Sequence, residues 1–402
     1  MTIIVQKYGG TSIGNIDRIE AVATRVEKSF KQGISIAVVL SAMGGETDRL
    51  ISLAKTIDKN PDASDMDLLL ATGEQASIAL LSIALKKRGI SCGAFTGFQA
   101  GVLTDEKHGG AKIINLNPER VRMTLDEKKV AIIAGFQGVS RGGNITTIGR
   151  GGSDTTAVAL AAALKATSCE IYTDVDGIFT ADPNVCTDAK LLEQITYEEM
   201  MELADQGAKV LHSRSVEMAA KYKVPLEVRS SFSDAVGTKV VSEEKIEECS
   251  VVSGIACNTN EAKVAIRRVP DKIGVTARIF APIAKANINV DLILQNVSAD
   301  GFTDLTFTVP KDDLRRAISL AEVAAKEVHA GKVEAAGDIA KVSAVGLGMR
   351  SHAGVAHRMF SILANENIAI QMIGTSEIKV SIVIDQRFAK RAVELLHKEF
   401  CL

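Results

Sequence analysis

TTIGRGGSDTTAVALAAALKATSCEIYTDVDGIFTAD, residues 146–182, reads as a glycine-rich turn, then a helix, then a strand. Gly149, Gly151 and Gly152 remove side chains where the backbone bends sharply or meets a ligand. Ser153, Asp154, Thr155 and Thr156 suit a helix's first turn, and Ala157 to Ala163 is a run of strong helix formers. The spacing predicts a helix opening at Ser153 or Asp154 and a strand from Cys169 through Val175. Such a helix start offers unpaired N–H groups and a partial positive charge, a seat for an anion such as phosphate. The plainer alternative, a well-capped αβ connection, stays open on this stretch alone. GRGGSD matches neither GxxxxGK[ST] nor GxGxxG, which excludes the Walker and dinucleotide loops. Arg150 either grips a carboxylate through two parallel hydrogen bonds or sits in solvent, as loop arginines commonly do.

Upstream, Ile3 to Gln6 is a short apolar strand running into Lys7-Tyr8-Gly9-Gly10-Thr11-Ser12. A lysine and paired glycines suit the carboxyl edge of an open α/β sheet, where ligands bind. A helix follows over Ile16 to Gln32, with Ile19, Val22, Ala23 and Val26 at helical spacing. Ile34 to Leu40 is continuously apolar, as in a strand buried on both faces, and it ends in hydroxyls and glycines over Ser41 to Asp48. The helical stretch Met66 to Lys87 carries Glu74 in an otherwise apolar pattern. That acid faces either solvent, the commoner case, or a site that needs negative charge. Strands recur at Cys92–Thr96, Lys112–Leu116 and Val130–Phe136. The βα alternation predicts an α/β fold with a mostly parallel sheet covered by helices. After Asp182-Pro183 come helices over Tyr197–Asp205 and Ala208–Tyr222, with Lys209 at the start of the second, and a strand from Val224 to Ser230. Ser233 to Cys249 turns polar and acidic, a boundary between domains.

Composition narrows the function. The chain's 402 residues suffice for two or three domains. Lys plus Arg (47) nearly balance Asp plus Glu (49), leaving no strong field for nucleic acid or an anionic membrane. Few aromatics and no Trp argue against base-stacking surfaces. Six scattered cysteines without a CxxC pair predict reduced, mostly buried thiols and no metal centre. MTIIVQKYGG lacks the build of a signal peptide, and no stretch approaches the ~20 apolar residues of a membrane helix. The expected setting is the cytosol.

The remainder follows another pattern. Residues 262–335 read β-α-β-β-α-β: Ala262–Arg268, Gly274–Ala286, Ile288–Val297, Phe302–Val309, Asp312–Val328 and Lys332–Ala335. Residues 340–402 begin the series again, 80 positions on: Gly274, Val275, Arg278, Phe280, Ala284, Asn287 and Ile288 recur as Gly354, Val355, Arg358, Phe360, Ala364, Asn367 and Ile368. Two ferredoxin-like βαββαβ units follow from this. The second copy runs out after its last helix, while Val251 to Cys257 is an unassigned strand before the first copy. That strand is expected to complete the second unit, which makes the first an insertion within it. The domains are then 1–245, 262–335, and 250–261 with 336–402.

Taken together, KYGGTS (7–12), SAMG (41–44), GRGGSDTTA (149–157), YTDVDGIFTADP (172–183) and GAKVLHSRS (207–215), in that order and followed by a tandem repeat, resemble the aspartate kinase family over essentially the whole chain. The resemblance implies the amino acid kinase (carbamate-kinase-like) fold followed by two ACT domains. It also implies phosphorylation of the L-aspartate side-chain carboxylate by ATP to 4-phospho-L-aspartate, the first step toward lysine, threonine, methionine and diaminopimelate. A carboxylate is already a nucleophile at neutral pH, so positioning and charge neutralisation suffice for catalysis.

By resemblance, Lys7 reaches the phosphates, helped by the N–H groups of Gly9 and Gly10, with Tyr8 between them. Asp154 orients that lysine and metal-bound phosphate. Arg150 clamps the α-carboxylate of aspartate beside Gly151, Gly152 and Ser153. Glu74 takes the substrate's ammonium, which reverses the solvent preference, and Ser41 and Thr47 sit by its reacting end. Thr173, Asp174, Phe179, Thr180, Asp182, Pro183 and Lys209 match nucleotide-binding positions. Mg²⁺ arrives with ATP, held mainly by phosphate oxygens and water. One departure stands out: Glu46 replaces the second hydroxyl usual in SAMGxTTDxL, and is expected to point to solvent.

ACT units imply regulation by amino acids bound between paired units of two chains, hence a homo-oligomer, dimer or tetramer, with lysine, threonine or both as effectors. In the first copy the positions are Asp271, Ile273, Gly274, Ala277, Asn289, Val290, Asp291 and Gln295, where Asn289, Asp291 and Gln295 offer free polar groups. In the second they include Met349, Ser351, His352, Gly354, Val355, Gln371, Thr375 and Glu377, although that copy serves equally well as a dimerisation element. Glutamate or N-acetylglutamate kinases and nucleotide kinases share the fold but normally lack tandem ACT units. A catalytically dead sensor would have lost Lys7, Arg150 or Asp154.

Overall fold

The computed structural model describes residues 2–207, 210–246, 250–296, 300–400 and 402. They form two compact units, the first from the described residues of Met1–Phe179, Leu191–Asp205 and Lys209–Glu248. Its elements begin β1 (Ile3–Tyr8), α1 (Ile16–Lys31), β2 (Ser35–Leu40), α2 (Glu46–Ile57), α3 (Ala63–Lys87) and β3 (Cys92–Phe95). There follow β4 (Val102–Thr104), β5 (Ile113–Leu116), α4 (Glu119–Asp126), β6 (Val130–Ala134), β7 (Gln137–Ser140) and β8 (Ile145–Thr147). The unit ends with α5 (Gly152–Leu164), β9 (Ser168–Thr173), β10 (Gln194–Thr196), α6 (Tyr197–Asp205), α7 (Ser213–Tyr222), β11 (Leu226–Ser230) and β12 (Thr238–Val241).

Among the described residues the main sheet runs β10-β12-β11-β9-β1-β2-β6-β3, parallel except between β11 and β12. In register, Val5 faces Ala37 on one side and Cys169 on the other. Every residue of β2 and β6 is buried, as a parallel sheet covered on both faces requires. On one face α1 and α3 pack through Ile19, Val22, Val26, Leu81 and Leu85 against Ile36, Val38 and Ile132. On the other, α5 lies against β1, β9 and β2.

The structure departs from the sequence pattern in several places. β5, expected beside the parallel strands, joins a separate small sheet ordered β5-β4-β7-β8. Gly45, at φ +80°, turns the chain after β2 so that α2 begins already at Glu46. α7 starts at Ser213 because His212 is extended, and Lys209 lies outside the described residues. The polar stretch after β11 contains β12, antiparallel to it. In addition α3, 25 residues long, is apolar and long enough to cross a membrane by length and composition, contrary to the expectation that no such stretch exists. Half of that span is nevertheless buried, as in the core helix of a folded domain.

The second unit takes the described residues of Thr180–Lys190, Gln206–Ala208 and Cys249–Leu402. Its elements are β13 (Gly254–Asn258), β14 (Glu261–Pro270), α8 (Val275–Lys285), β15 (Ile293–Gln295), β16 (Phe302–Pro310), α9 (Leu314–Glu327) and β17 (Val333–Ala336). Then come β18 (Ile339–Val345), α10 (Val355–Asn365), β19 (Met372–Thr375), β20 (Lys379–Asp385) and α11 (Ala389–Glu399). The first βαββαβ copy has sheet order β15-β16-β14-β17 and the second β13-β18-β20-β19, with β13 antiparallel to β18. A strand made before the first copy thus closes the second.

The copies repeat in backbone as well as sequence. Asn287 and Asn367 share φ +57°, and Gly274 and Gly354 both cap their helices with positive φ. Between the copies, Leu292, Leu294 and Ala336 pack on Ile339, Met372 and Val383. Lys341, 1% exposed, is ion-paired there with Glu261 and Asp291.

Candidate active site

Lys7, in β1, points to the rim of the parallel sheet, where its Nζ lies 2.6 Å from Asp154 Oδ1. Both side chains are nearly buried, at 12% and 11% exposure, so the pair is formed largely out of water. The two glycines after β1 serve close approach. A Cβ on Gly9 would sit 3.4 Å from Lys7 Nζ, and one on Gly10 would be 3.0 Å from Ala42 O. Gly44 N–H donates to Gly10 O at 3.0 Å, tying the loops after β1 and β2 backbone to backbone. Gly9 N–H donates to Tyr172 O, so of the two amides expected to serve phosphate it is already engaged. Tyr8 is no site residue by its side chain: its ring stacks on Tyr172 in the core at 4.6 Å, and its hydroxyl donates to Gln6.

Ser41 N–H donates to Tyr8 O, which sets the next loop on the same rim. Glu74 reaches that loop from α3. Its Oε1 accepts the Ala42 N–H at 3.0 Å, while Oε2 is buried and unpartnered among the described residues. At 3% exposure, burial raises its pKa to about 7, against the pull of the backbone hydrogen bonds. Gly73 brings α3 this close, since a Cβ there would stand 2.8 Å from Ala42 Cβ. Thr47 lies in the first turn of α2. Glu46 is neutralised by Arg49 at 2.8 and 2.7 Å and remains partly exposed.

The glycine loop behaves as its composition requires. Gly149 and Gly151 have φ +82° and +71°, and a Cβ on Gly151 would collide with His212 at 2.4 Å. Helix α5 opens at Gly152 without a side-chain cap and with Asp154 as its first-turn acid. Ser153 packs on Gly135 at the end of β6. Arg150 is exposed. The rim therefore gathers an ammonium, a carboxylate, an unsatisfied buried acid, a free guanidinium arm and an uncapped helix start. That is chemistry for holding two anions, one of which also carries an amine. Among the described residues no cluster of three or more His, Cys, Asp or Glu encloses a metal. At this rim Asp154 is the carboxylate that could share a divalent cation with a bound phosphate.

On the other side of β1, Thr173 donates to Asp174 at 3.1 Å, and Phe179 bridges to Leu191. Thr180, Asp182 and Pro183 belong to the second unit. There the Thr180 hydroxyl accepts the Lys190 N–H and meets His397 Nε2 at 2.8 Å, and Asp182 caps Asn184.

The amino acid kinase family model matches residues 2–230, and the ACT domain model matches 267–323 and 342–400. An aspartate kinase from Pseudomonas putida is 53% identical over 403 residues, spanning 100% of this chain and 98% of that protein. The E. coli aspartokinase III structure in complex with aspartate and ADP, an R-state, superposes with TM-score 0.83 at 27% identity, covering 100% of both chains. The same enzyme with lysine and aspartate, a T-state, gives TM-score 0.78 at 27% identity and 99% coverage of each chain. The chain belongs to the aspartate kinase family.

For an aspartate kinase, the residues expected to bind effectors divide between exposed and already engaged positions in both copies. Asp271, Ile273, Gly274, Ala277 and Asn289 are exposed, Ile273 completely, and Val290 is half-buried. Asp291 and Gln295 are not free as expected: the first pairs with Lys341, and the second accepts from Thr276 at 3.1 Å. In the second copy Ser351, His352, Gly354, Thr375 and Glu377 are exposed, Val355 is core, and Met349 packs against it. His352 contacts Gly348 O, and Gln371 accepts from Lys263 at 2.6 Å, linking the copies.

Sequence alone assigns no role to Asp67, His108, His212 or Arg214, although the last two lie within GAKVLHSRS. Asp67 gave little signal, since it follows Asp62 and Asp65 at the start of the helix, where acids are common.

Proposed function

We propose that the rim transfers the terminal phosphoryl group of ATP to the side-chain carboxylate of L-aspartate. The observation that carries this is the nearly buried Lys7–Asp154 pair on the same rim as an acid, Glu74, with one oxygen unsatisfied among the described residues. A carboxylate oxygen of aspartate forms the new bond to phosphorus, the bond to the bridging oxygen breaks, and the electron pair leaves on ADP. No proton moves, so no general base is needed. Lys7 draws the phosphates to the end of β1, and Asp154 holds its ammonium in place. Arg150 grips the α-carboxylate, and Glu74 accepts the ammonium, with Ser41 and Thr47 beside the reacting end. Mg²⁺ bound with the nucleotide would neutralise charge on the transferring group. Thr173, Asp174 and Phe179 flank the nucleotide.

The ACT copies are read as the seat of feedback by lysine, threonine or both. By family resemblance, the exposed loops around Asp271, Ile273 and Asn289 are where a second chain would pair, and hence a homo-oligomer. A coupled assay of ADP release with L-aspartate against L-glutamate, titrated with lysine and threonine singly and together, tests the whole reading. Turnover with glutamate alone would reject it.

A further inference from the structure

The catalytic reading leaves one dense polar cluster of the first unit unused. Asp67, in the first half of α3, is 0% exposed, and its hydrogen bonds among the described residues go to none of the groups proposed to meet substrate. Its carboxylate gathers donors from two other segments. His108 Nδ1 stands 2.7 Å from Oδ2, Gly109 N–H donates to both oxygens at 3.1 Å, and the Thr147 hydroxyl donates to Oδ1. A fully satisfied buried carboxylate is rigid, because moving any donor would leave charge unpaired out of water.

What it holds matters. Ala111 N–H donates to Thr147 O at 2.9 Å, joining the 105–112 loop to the end of β8. Two residues beyond Thr147, Gly149 lies so close that a Cβ would be 3.2 Å from Gly109 O. Arg214, from α7, donates to Ile148 O at 2.9 Å and to Ala111 O at 3.3 Å, closing the other side. The backbone leading into Arg150 is thus fixed at Thr147 by a buried anion and at Ile148 by a cation, while the Arg150 side chain itself is exposed.

We propose that Asp67 is a positioning residue that sets the Arg150 loop for the substrate's α-carboxylate, acting through His108, Gly109 and Thr147. This rests on the reading above that Arg150 binds that group. An Asn at 67 keeps the shape, but because Gly109 N–H donates to both oxygens, either amide orientation sets an N–H₂ against a donor that cannot accept.

The test is steady-state ADP release by the full-length chain carrying Asp67→Asn, Arg150→Ala, or both. Expected for Asp67→Asn is a KM for aspartate raised about tenfold or more, with the KM for ATP held within about twofold. In the Arg150→Ala background the same substitution should add almost nothing, because the two act in series. A full multiplicative effect in the double variant, or equal rises in both KM values, would overturn the proposal. An unchanged aspartate KM in Arg150→Ala alone would instead reject the assignment of Arg150, and this inference with it. Should Asp67→Asn fail to fold, His108 decides the matter: His108→Ala should raise the aspartate KM, and His108→Asn, which restores an N–H donor, should recover it. Equal values in those two variants overturn the proposal.

Discussion

The rim of the parallel sheet and the loops that open α8 and α10 are both expected to hold an amino acid by its charges, yet they are built in opposite ways. At the rim, Glu74 and Asp154 are 3% and 8% exposed, and each is held by a main-chain or ammonium partner before any ligand arrives. At the loops, Asp271, Ile273 and Asn289 face water, and Asp291 is already committed to Lys341. Catalysis needs charges fixed in a low-dielectric setting. A reversible sensor can draw on a second surface to exclude water only when the ligand is present.

The contrast breaks most sharply at Lys7. Lys7→Ala should lower kcat about a thousandfold, measured by ADP release, with any effector response of the residual activity preserved. Next is Glu74→Gln, which should raise the KM for aspartate roughly a hundredfold. In the unaltered chain that KM should climb as pH falls below about 7, where Glu74 takes up a proton, and the Gln variant should lose this dependence. Stability carries the opposite sign. The folded chain keeps a proton on Glu74 that an unfolded chain releases above the ordinary value of 4.5, so this acid's contribution falls between pH 4.5 and about 7 and is flat above. Urea midpoints across that range should drop for the native residue and not for Gln.

Lys341→Met sharpens the comparison from the other side, since here the second unit does bury charge. Leaving Glu261 and Asp291 without their cation should cost about 3 kcal/mol by urea denaturation, partly recovered by adding Glu261→Gln. Smallest are Gly274→Ala and Gly354→Ala. Neither glycine has an atom within 4 Å of a built Cβ, so each should lose only the left-handed backbone term, about 1 kcal/mol, and the two should match.

Much of this was legible because the relevant signals are local. The run of apolar residues in β2, the glycines around Arg150, and the 80-residue offset each dictate a backbone without help from distant residues. The burial pattern over 271–290 recurs over 351–370 except at Ala286 and Glu366, which is why the repeat survives translation into structure. What escaped reading depends on long-range partners. Nothing near Asp291 announces Lys341, fifty residues on. Nothing in YTDVDGIFTADP shows that its last residues leave the first unit, where Ala181 and Cys186 join the core around Val342 and Leu396. Tyr8 looked available because KYGG ends a strand, but an aromatic partner at Tyr172 drew it inward.

The crossed connectivity of β13 has a consequence for synthesis. On the ribosome that strand emerges first and must wait, without its sheet partner β18, while the whole inserted copy is made, because β18, β20 and α11 appear only afterwards. Such delayed, non-local closure is slow and exposes an edge in the meantime. Nascent chains stalled before Ile339 should therefore carry a finished first copy beside a sticky loose end, a natural point for chaperone capture.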